Sequence, residues 1–452
     1  MASAPAFSPQ PGLFSREYLW ITLGSCALVF LGAFESLAVT TVMPVVSADL
    51  DGAELYALAF AGPFATGVIG MVVAGNWSDR AGPKVPLYTA AVLFMIGLVI
   101  AGLAVTMPML VVGRLVQGLG TGAVNVALYV VVARVYPARL HPSIFAGFAA
   151  AWVVPSLIGP FAAGAVTEIF SWHWVFLGVV VLVLGATAMV GPALRTLPAG
   201  DPDAHPAPWS YARVGWSVLA AVAVLALGIL SKVETWGGVF VVLAVVVTLV
   251  AVRPLLPRGA LSARRGLPSV ILLRGLVGAA FFGAEVYLPY LLIDEYDYSP
   301  TLAGLALTVG ALAWAAASWL QGRLTTQLTH PMSTTIGSSL VLVGIVLALA
   351  TALFHLNPAV AIAGWVVGGG GMGLMYPRIS VMTLAMSTTA NQGFNSSALS
   401  ISDSLGAALA LAITGVVSVT LGFPGVFAFT AAIAVYAIII APRVATLRGR
   451  AS

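Results

Sequence analysis

The sequence is short of charge. Asp, Glu, Lys and Arg make up 8% of its 452 residues, about a third of the share in an ordinary soluble domain. Hydrophobic residues make up 60%, and the mean hydropathy is +1.04. A soluble fold has to cover itself with polar groups, and this chain has too few, so its outer surface faces lipid. Lysine is nearly absent, with Lys84 and Lys232 as the two examples. The single cysteine, Cys26, excludes an intrachain disulfide and a thiolate metal site. The five histidines fall in or beside loops, which argues against a His-lined proton path. Residues 1–18 carry Arg16 and Glu17 but no basic n-region, and read as a short cytoplasmic tail rather than a signal peptide.

What is there is a succession of apolar runs. A crossing helix needs about 20 apolar residues. Fourteen such segments can be placed, at 19–43, 55–75, 85–105, 107–134, 143–167, 172–194, 212–231, 236–252, 268–292, 302–322, 333–353, 357–377, 394–418 and 424–442. With the N-terminus inside, sixteen basic residues fall on the inner side and Lys232 alone on the outer. That asymmetry fixes an even number of crossings with both termini cytoplasmic. The acidic loops, Asp49 to Glu54 and Asp294 to Asp297, fall outside. Residues 195–211, rich in Pro and Asp, read as a cytoplasmic linker. The expected organisation is a six-helix half (19–194), the linker, two additional helices (212–252), a second six-helix half (253–442) and a tail (443–452).

The halves repeat. Gly113, Gly118, Gly120 and Gly122 align with Gly364, Gly369, Gly371 and Gly373 at an offset of 251. Glu35 aligns with Glu285 at an offset of 250, and the position equivalent to Arg114 is Trp365. Duplicated halves with a site at their interface suit alternating access. These glycine runs lie inside apolar helices with no preceding strand, so they are helix-packing residues rather than a dinucleotide loop.

Several local patterns are more specific. Residues Gly75-Asn-Trp-Ser-Asp79-Arg80-Ala-Gly82-Pro-Lys84 follow the second segment. Arg114-Leu-Val-Gln-Gly-Leu-Gly120 lies in the fourth, and Pro155-Ser-Leu-Ile-Gly159-Pro160-Phe-Ala-Ala-Gly164 in the fifth. Glu35-Ser-Leu-Ala-Val-Thr-Thr-Val-Met-Pro44 lies in the first, and Trp172-His-Trp-Val-Phe176 opens the sixth. Together they resemble the signature loops and helices of the major facilitator superfamily, and within it the fourteen-helix drug:proton antiporters. The resemblance covers the first half densely and the second mainly by helix layout. It implies an all-α membrane fold of two six-helix halves with two extra central helices. It further implies a cytoplasmic latch at Gly75, Asp79, Arg80, Gly82 and Lys84, with Asp79 facing the N-terminal end of a helix in the other half. Pro155, Gly159, Pro160 and Gly164 would then form an antiporter motif that packs tightly and prevents leak.

Intramembrane charge costs about 2.5–3.5 kcal/mol per group even on insertion scales, so each such group needs a reason. At 1.5 Å per residue, Glu35 and Arg114 both lie about 10–12 Å below the outer face, which predicts a pair. Opening that pair would give the carboxylate a reason to take up a proton. Glu285 lies at a similar depth without an evident basic partner, and reads as a second proton site or a contact for cations. Asp403, about 14 Å from the inner end, sits among Ser400, Ser402 and Ser404. Arg274 reads as a snorkelling residue. Asn125, Tyr129, Trp152, Tyr287 and Trp365 are the candidate substrate contacts, with Phe281, Phe282, Tyr290 and Trp314 as further aromatics on the same helices. Few fixed polar groups among many rings suit hydrophobic or cationic ligands. The expected ligands are protons and a small hydrophobic compound, handled by a monomer in the bilayer, with no cofactor, metal or nucleic acid. A lipid exporter and a non-transporting sensor are the alternatives. No Ser/His, paired-Asp or metal cluster at a shared depth supports an intramembrane enzyme.

Overall fold

Residues 12–196, 209–230, 237–323, 327–387 and 392–445 are described by a computed structural model. Helices account for nearly all of them, because a chain in hydrocarbon must satisfy its backbone polar groups internally. The order is α1 (Leu19–Asp49), α2 (Tyr56–Ala81), α3 (Lys84–Gly102), α4 (Met107–Val135), α5 (His141–Ile169), α6 (His173–Thr196), α7 (Tyr211–Leu230), α8 (Gly237–Val252), α9 (Leu267–Glu285), α10 (Tyr287–Asp294), α11 (Pro300–Arg323), α12 (His330–Phe354), α13 (Ala359–Ala385) and α14 (Gln392–Ile440). Among the described residues, eleven helical runs are long and apolar enough to cross a membrane. Most of the 195–211 linker lies outside the described residues.

Two expected boundaries moved. The segment 268–292 is broken at Val286 into α9 and α10. Pro289 has no N–H to give the Glu285 carbonyl, and its ring crowds that turn. The segments 394–418 and 424–442 form one run, α14, turned at Gly422, whose φ of 62° and ψ of −161° suit glycine alone. Arg378, expected at a helix end, instead lies inside α13, buried, where its Nη1 donates to the Leu328 carbonyl at 2.9 Å.

Helices α1–α6 pack on one another, as do α9–α14, while α2 against α14 and α5 against α11 join the two groups. Close approach within each group runs through small residues. A Cβ on Gly113 would meet the Ala101 backbone at 2.5 Å, and one on Gly344 the Gly364 carbonyl at 2.5 Å. In lipid such dispersion contacts, rather than water exclusion, hold helices together. α7 lies against α2 and also touches α14. At its start the Ser210 N–H donates to Asn76 at 3.2 Å, and Arg213 sits 5.2 Å from the Phe394 ring centre.

One end of the bundle is basic and the other acidic. At the acidic end the two groups touch closely. The Tyr56 hydroxyl donates to the Val286 carbonyl at 2.9 Å, and its ring lies 4.7 Å from Tyr290 and 5.8 Å from Tyr287. The Thr301 N–H donates to Glu168 at 3.1 Å, and a Cβ on Gly304 would meet the Pro160 carbonyl at 2.6 Å. Toward the basic end, Tyr129, Phe145 and Trp152 are exposed. The conformation is closed at the acidic face.

Candidate functional site

The first-half site is built by α1, α2 and α4. Glu35 and Arg114 are each 4% exposed and form an ion pair through Arg114 Nη1 and Glu35 Oε1. Nη1 also donates to Gln117 Oε1 at 2.8 Å, and Nε to the Ala59 carbonyl at 3.1 Å. The arginine is thus held by one carboxylate, one amide and one backbone carbonyl. Gln117 stands one turn from Arg114 on α4, so the spacing of Arg114-Leu-Val-Gln117 delivers both side chains to one face.

The equivalent place in the second half is built differently. Glu285, half-buried at the end of α9, has the Trp365 indole within hydrogen-bonding reach. The two are the repeat partners of Glu35 and Arg114, so an N–H donor has been kept where the cation has been lost. Trp365 is 1% exposed and stacks on Phe281 at 4.7 Å. Phe281 in turn meets Trp314 edge-on at 5.6 Å, and Trp314 meets Tyr376 edge-on at 5.3 Å. No cation pairs with Glu285 among the described residues.

Asp403 and Arg274 differ from expectation. Arg274 does not snorkel to the face: its Nε lies 3.1 Å from Asp403 Oδ2, and both side chains are largely buried. Its guanidinium carbon sits 3.3 Å from the Tyr376 ring centre, while the Tyr376 hydroxyl donates to Asp403. Arg274 Nη1 reaches the Tyr376 carbonyl at 3.4 Å and Ser380 Oγ at 3.3 Å. The serines expected around Asp403 serve the helices instead, with Ser402 Oγ donating to the Ile271 carbonyl at 2.8 Å and Ser400 Oγ to the Ser396 carbonyl at 3.4 Å. Gly275 and Gly406 let α9 and α14 approach closely enough for the pair, since a Cβ on Gly406 would collide with the Gly275 carbonyl. Tyr376 escaped the sequence reading, because an aromatic in an apolar helix carries no distinguishing pattern.

The remaining candidates scatter. Tyr129 and Trp152 are exposed, with Tyr129 5.3 Å from Phe145, and Asn125 is partly exposed one turn before Tyr129 on α4. Tyr287, by contrast, is 1% exposed within the acidic-face contact, so it borders the closure rather than an open cavity. Asp79 is exposed, and the charges beside it are Arg134 and Arg213. Arg213 in turn stands over the ring of Phe394, two residues into α14. Gly82 ends α2 with φ of 78°, and Arg134 Nη2 donates to the Ser78 carbonyl at 3.2 Å, so this turn is fastened within its own half. Gly75 lies on the last turns of α2, and Arg80 and Lys84 are exposed at the basic face. Gly159 faces Phe34 of α1, and Pro160 and Gly164 meet Gly304 and Thr301 of α11, while Pro155 is buried on the same helix. Pro160 and Gly164 thus form part of the seam between the halves, and Gly159 packs within its own half.

The profile of the Major Facilitator Superfamily matches residues 25–354 and 270–451. The chain belongs to the major facilitator superfamily. It is 23% identical over 403 residues to the multidrug efflux pump SdrM of Staphylococcus aureus, covering 86% of this chain and 87% of that one. It is 29% identical over 157 residues to multidrug resistance protein 3 of Bacillus subtilis, covering 35% and 31%. A D-xylose–proton symporter has the same fold, with a TM-score of 0.69 at 16% identity over 94% of this chain and 97% of the other. A POT family transporter solved with 5-aminolevulinic acid gives 0.73 at 15% identity over 97% and 99%. This superfamily member is a multi-pass membrane transporter and not an enzyme.

Proposed function

We propose that the chain is a monomeric, fourteen-helix antiporter of the plasma membrane that exports small hydrophobic cations, such as drugs, in exchange for protons. Both termini and the basic face lie in the cytoplasm, and transport proceeds by alternating access between the two six-helix halves. The observation that carries this reading is a charge balance. Three carboxylates (Glu35, Asp403 and Glu285) and two guanidiniums (Arg114 and Arg274) lie inside the helix bundle and form two pairs, while the buried Arg378 of α13 turns to the Leu328 carbonyl and His330 beside the basic face. Glu285 is left over. When ionised it gives the region one net negative charge, which either a proton or a monovalent cation can cancel. A carboxylate flanked by Trp365, Phe281 and Trp314 also supplies both parts of organic-cation recognition, a charge and aromatic faces. Proton and drug then compete for one place, and that competition is the requirement for exchange. Glu35, held by Arg114, Gln117 and the geometry of α1 and α4, is the second coupling candidate, and Asp403 the third. The 23% identity to a multidrug efflux pump supports the same substrate class.

The test is reconstitution in liposomes with a trapped pH dye and ethidium as substrate. Ethidium-dependent proton movement in the wild type, lost in Glu285→Gln and kept in Asp403→Asn, is the expected result. Movement that survives Glu285→Gln but not Glu35→Gln would transfer the role to the first half. No proton movement with any cation tried would sink the antiport reading and turn attention to lipid export.

A further inference from the structure

The connection between α8 and α9 plays no part in the charge balance. It carries Arg253, Arg258, Arg264 and Arg265, all exposed. No Asp or Glu occurs from Gly237 to Ala284. The connection is not loose coil. Arg264 N–H donates to the Gly259 carbonyl at 3.1 Å, Ser269 Oγ to the Arg264 carbonyl at 2.7 Å, and Gly266 N–H to the Arg443 carbonyl at 2.9 Å. These bonds fasten it to the start of α9 and to the turn that follows α14.

Where α8 meets this connection there is an open groove of about 290 Å³, lined by Val246, Leu249, Val250, Arg253, Leu261 and Ser262. The first four stand at i, i+3, i+4 and i+7, so they form one stripe that runs along α8 and ends on Arg253, the first residue of the turn after it. Val246, Leu249 and Val250 are exposed by 49%, 41% and 46% among the described residues. The stripe has a polarity order. Its guanidinium lies at the basic face, and its aliphatic side chains run from there toward the middle of the bilayer. Leu261 and Ser262 form the opposite wall in the same connection.

We propose that this groove holds one anionic phospholipid, with its phosphate on Arg253 and an acyl chain along Val250, Leu249 and Val246. The occupant follows from charge and polarity together. A phosphodiester matches a guanidinium that has no carboxylate beside it, and an acyl chain matches three aliphatic side chains at membrane depth. A zwitterionic lipid would bring a second, positive charge against Arg253 and its neighbours. Because one wall is α8 and the other is anchored to α9, the lipid would tie the α7–α8 hairpin to the second half.

Native mass spectrometry of the full chain, in detergent with equal phosphatidylglycerol and phosphatidylcholine, tests this. The wild type should retain one phosphatidylglycerol with a preference of about fivefold, the worth of one basic residue at a negative surface. Arg253→Gln should lose that preference. Arg265→Gln, on the same connection but outside the groove, should keep it. Val246→Trp, which fills the groove without altering charge, should lower retention of phosphatidylglycerol. Equal retention of the two lipids by the wild type would overturn the proposal. So would a preference that survives Arg253→Gln, or one that Arg265→Gln removes equally, which would mark a diffuse basic surface.

Discussion

The two halves of the molecule hold a glutamate at the same place and treat it in opposite ways. In the first half Glu35 faces a guanidinium that is itself bound to Gln117 and the Ala59 carbonyl. In the second half Glu285 faces an indole, a donor with no charge. One exchange in the repeat, Arg114 against Trp365, therefore separates a charge-neutral pair from a carboxylate open to a proton or a cation. Duplication supplies two equivalent positions, and divergence of the partner leaves one carboxylate paired with a guanidinium and the other facing an indole.

The largest effect is expected at Arg114. Arg114→Gln leaves Glu35 buried without its cation, which costs about 3–5 kcal/mol in a buried pair. Thermal unfolding of the purified protein should show the loss, and Glu35→Gln added to it should restore much of the stability. If the single variant unfolds like the wild type, the pair does not hold the first half. The converse change, Trp365→Arg, makes the second half resemble the first. It should cut ethidium-driven proton movement at least tenfold while leaving the protein folded, since Glu285 would gain a permanent partner. Undiminished coupling would show that the neutral partner at this position is irrelevant.

A subtler test uses the Arg274–Asp403 pair, which the balance assigns no free charge. Asp403→Asn leaves Arg274 uncompensated and adds one positive charge. Ethidium binding should then weaken about tenfold, equivalent to 1.4 kcal/mol, whereas proton release per bound cation should stay as in the wild type. Smallest of all is Tyr56→Phe, which removes the hydrogen bond to the Val286 carbonyl. A shift of about 0.5–1.5 kcal/mol toward acidic-face opening should appear as a changed distance distribution between spin labels on α2 and α10.

Sequence arithmetic was enough to bring Glu35 and Arg114 to one depth, because each lies a countable distance from a clear helix end. The same arithmetic applies to Arg274, about 10 Å into α9, and Asp403, about 16 Å into α14. Here it was defeated by the length of the arginine side chain, which can reach a membrane face as easily as a neighbour. Trp365 was legible as the repeat partner of Arg114, but its approach to Glu285 was not, because an indole carries no charge to mark it as a partner for a carboxylate. Tyr376 and the Pro289 break escaped for a related reason. Aromatic and proline residues are ordinary in membrane helices, and only tertiary placement shows that one clamps an ion pair and the other bends the helix that bears Glu285.

The acidic-face closure includes the Tyr56 phenol donating to the Val286 carbonyl and the Thr301 N–H donating to Glu168 at the exposed rim, alongside stacked rings and close small-residue contacts. When the face opens, external water reaches both the hydroxyl and the carbonyl and replaces their bond nearly in kind. No polar group is stranded in hydrocarbon during the change. A closure made of a charged pair at this place would have to be torn apart on every cycle, and a closure made of a bond that solvent can take over lets the protein turn over without a deep resting state.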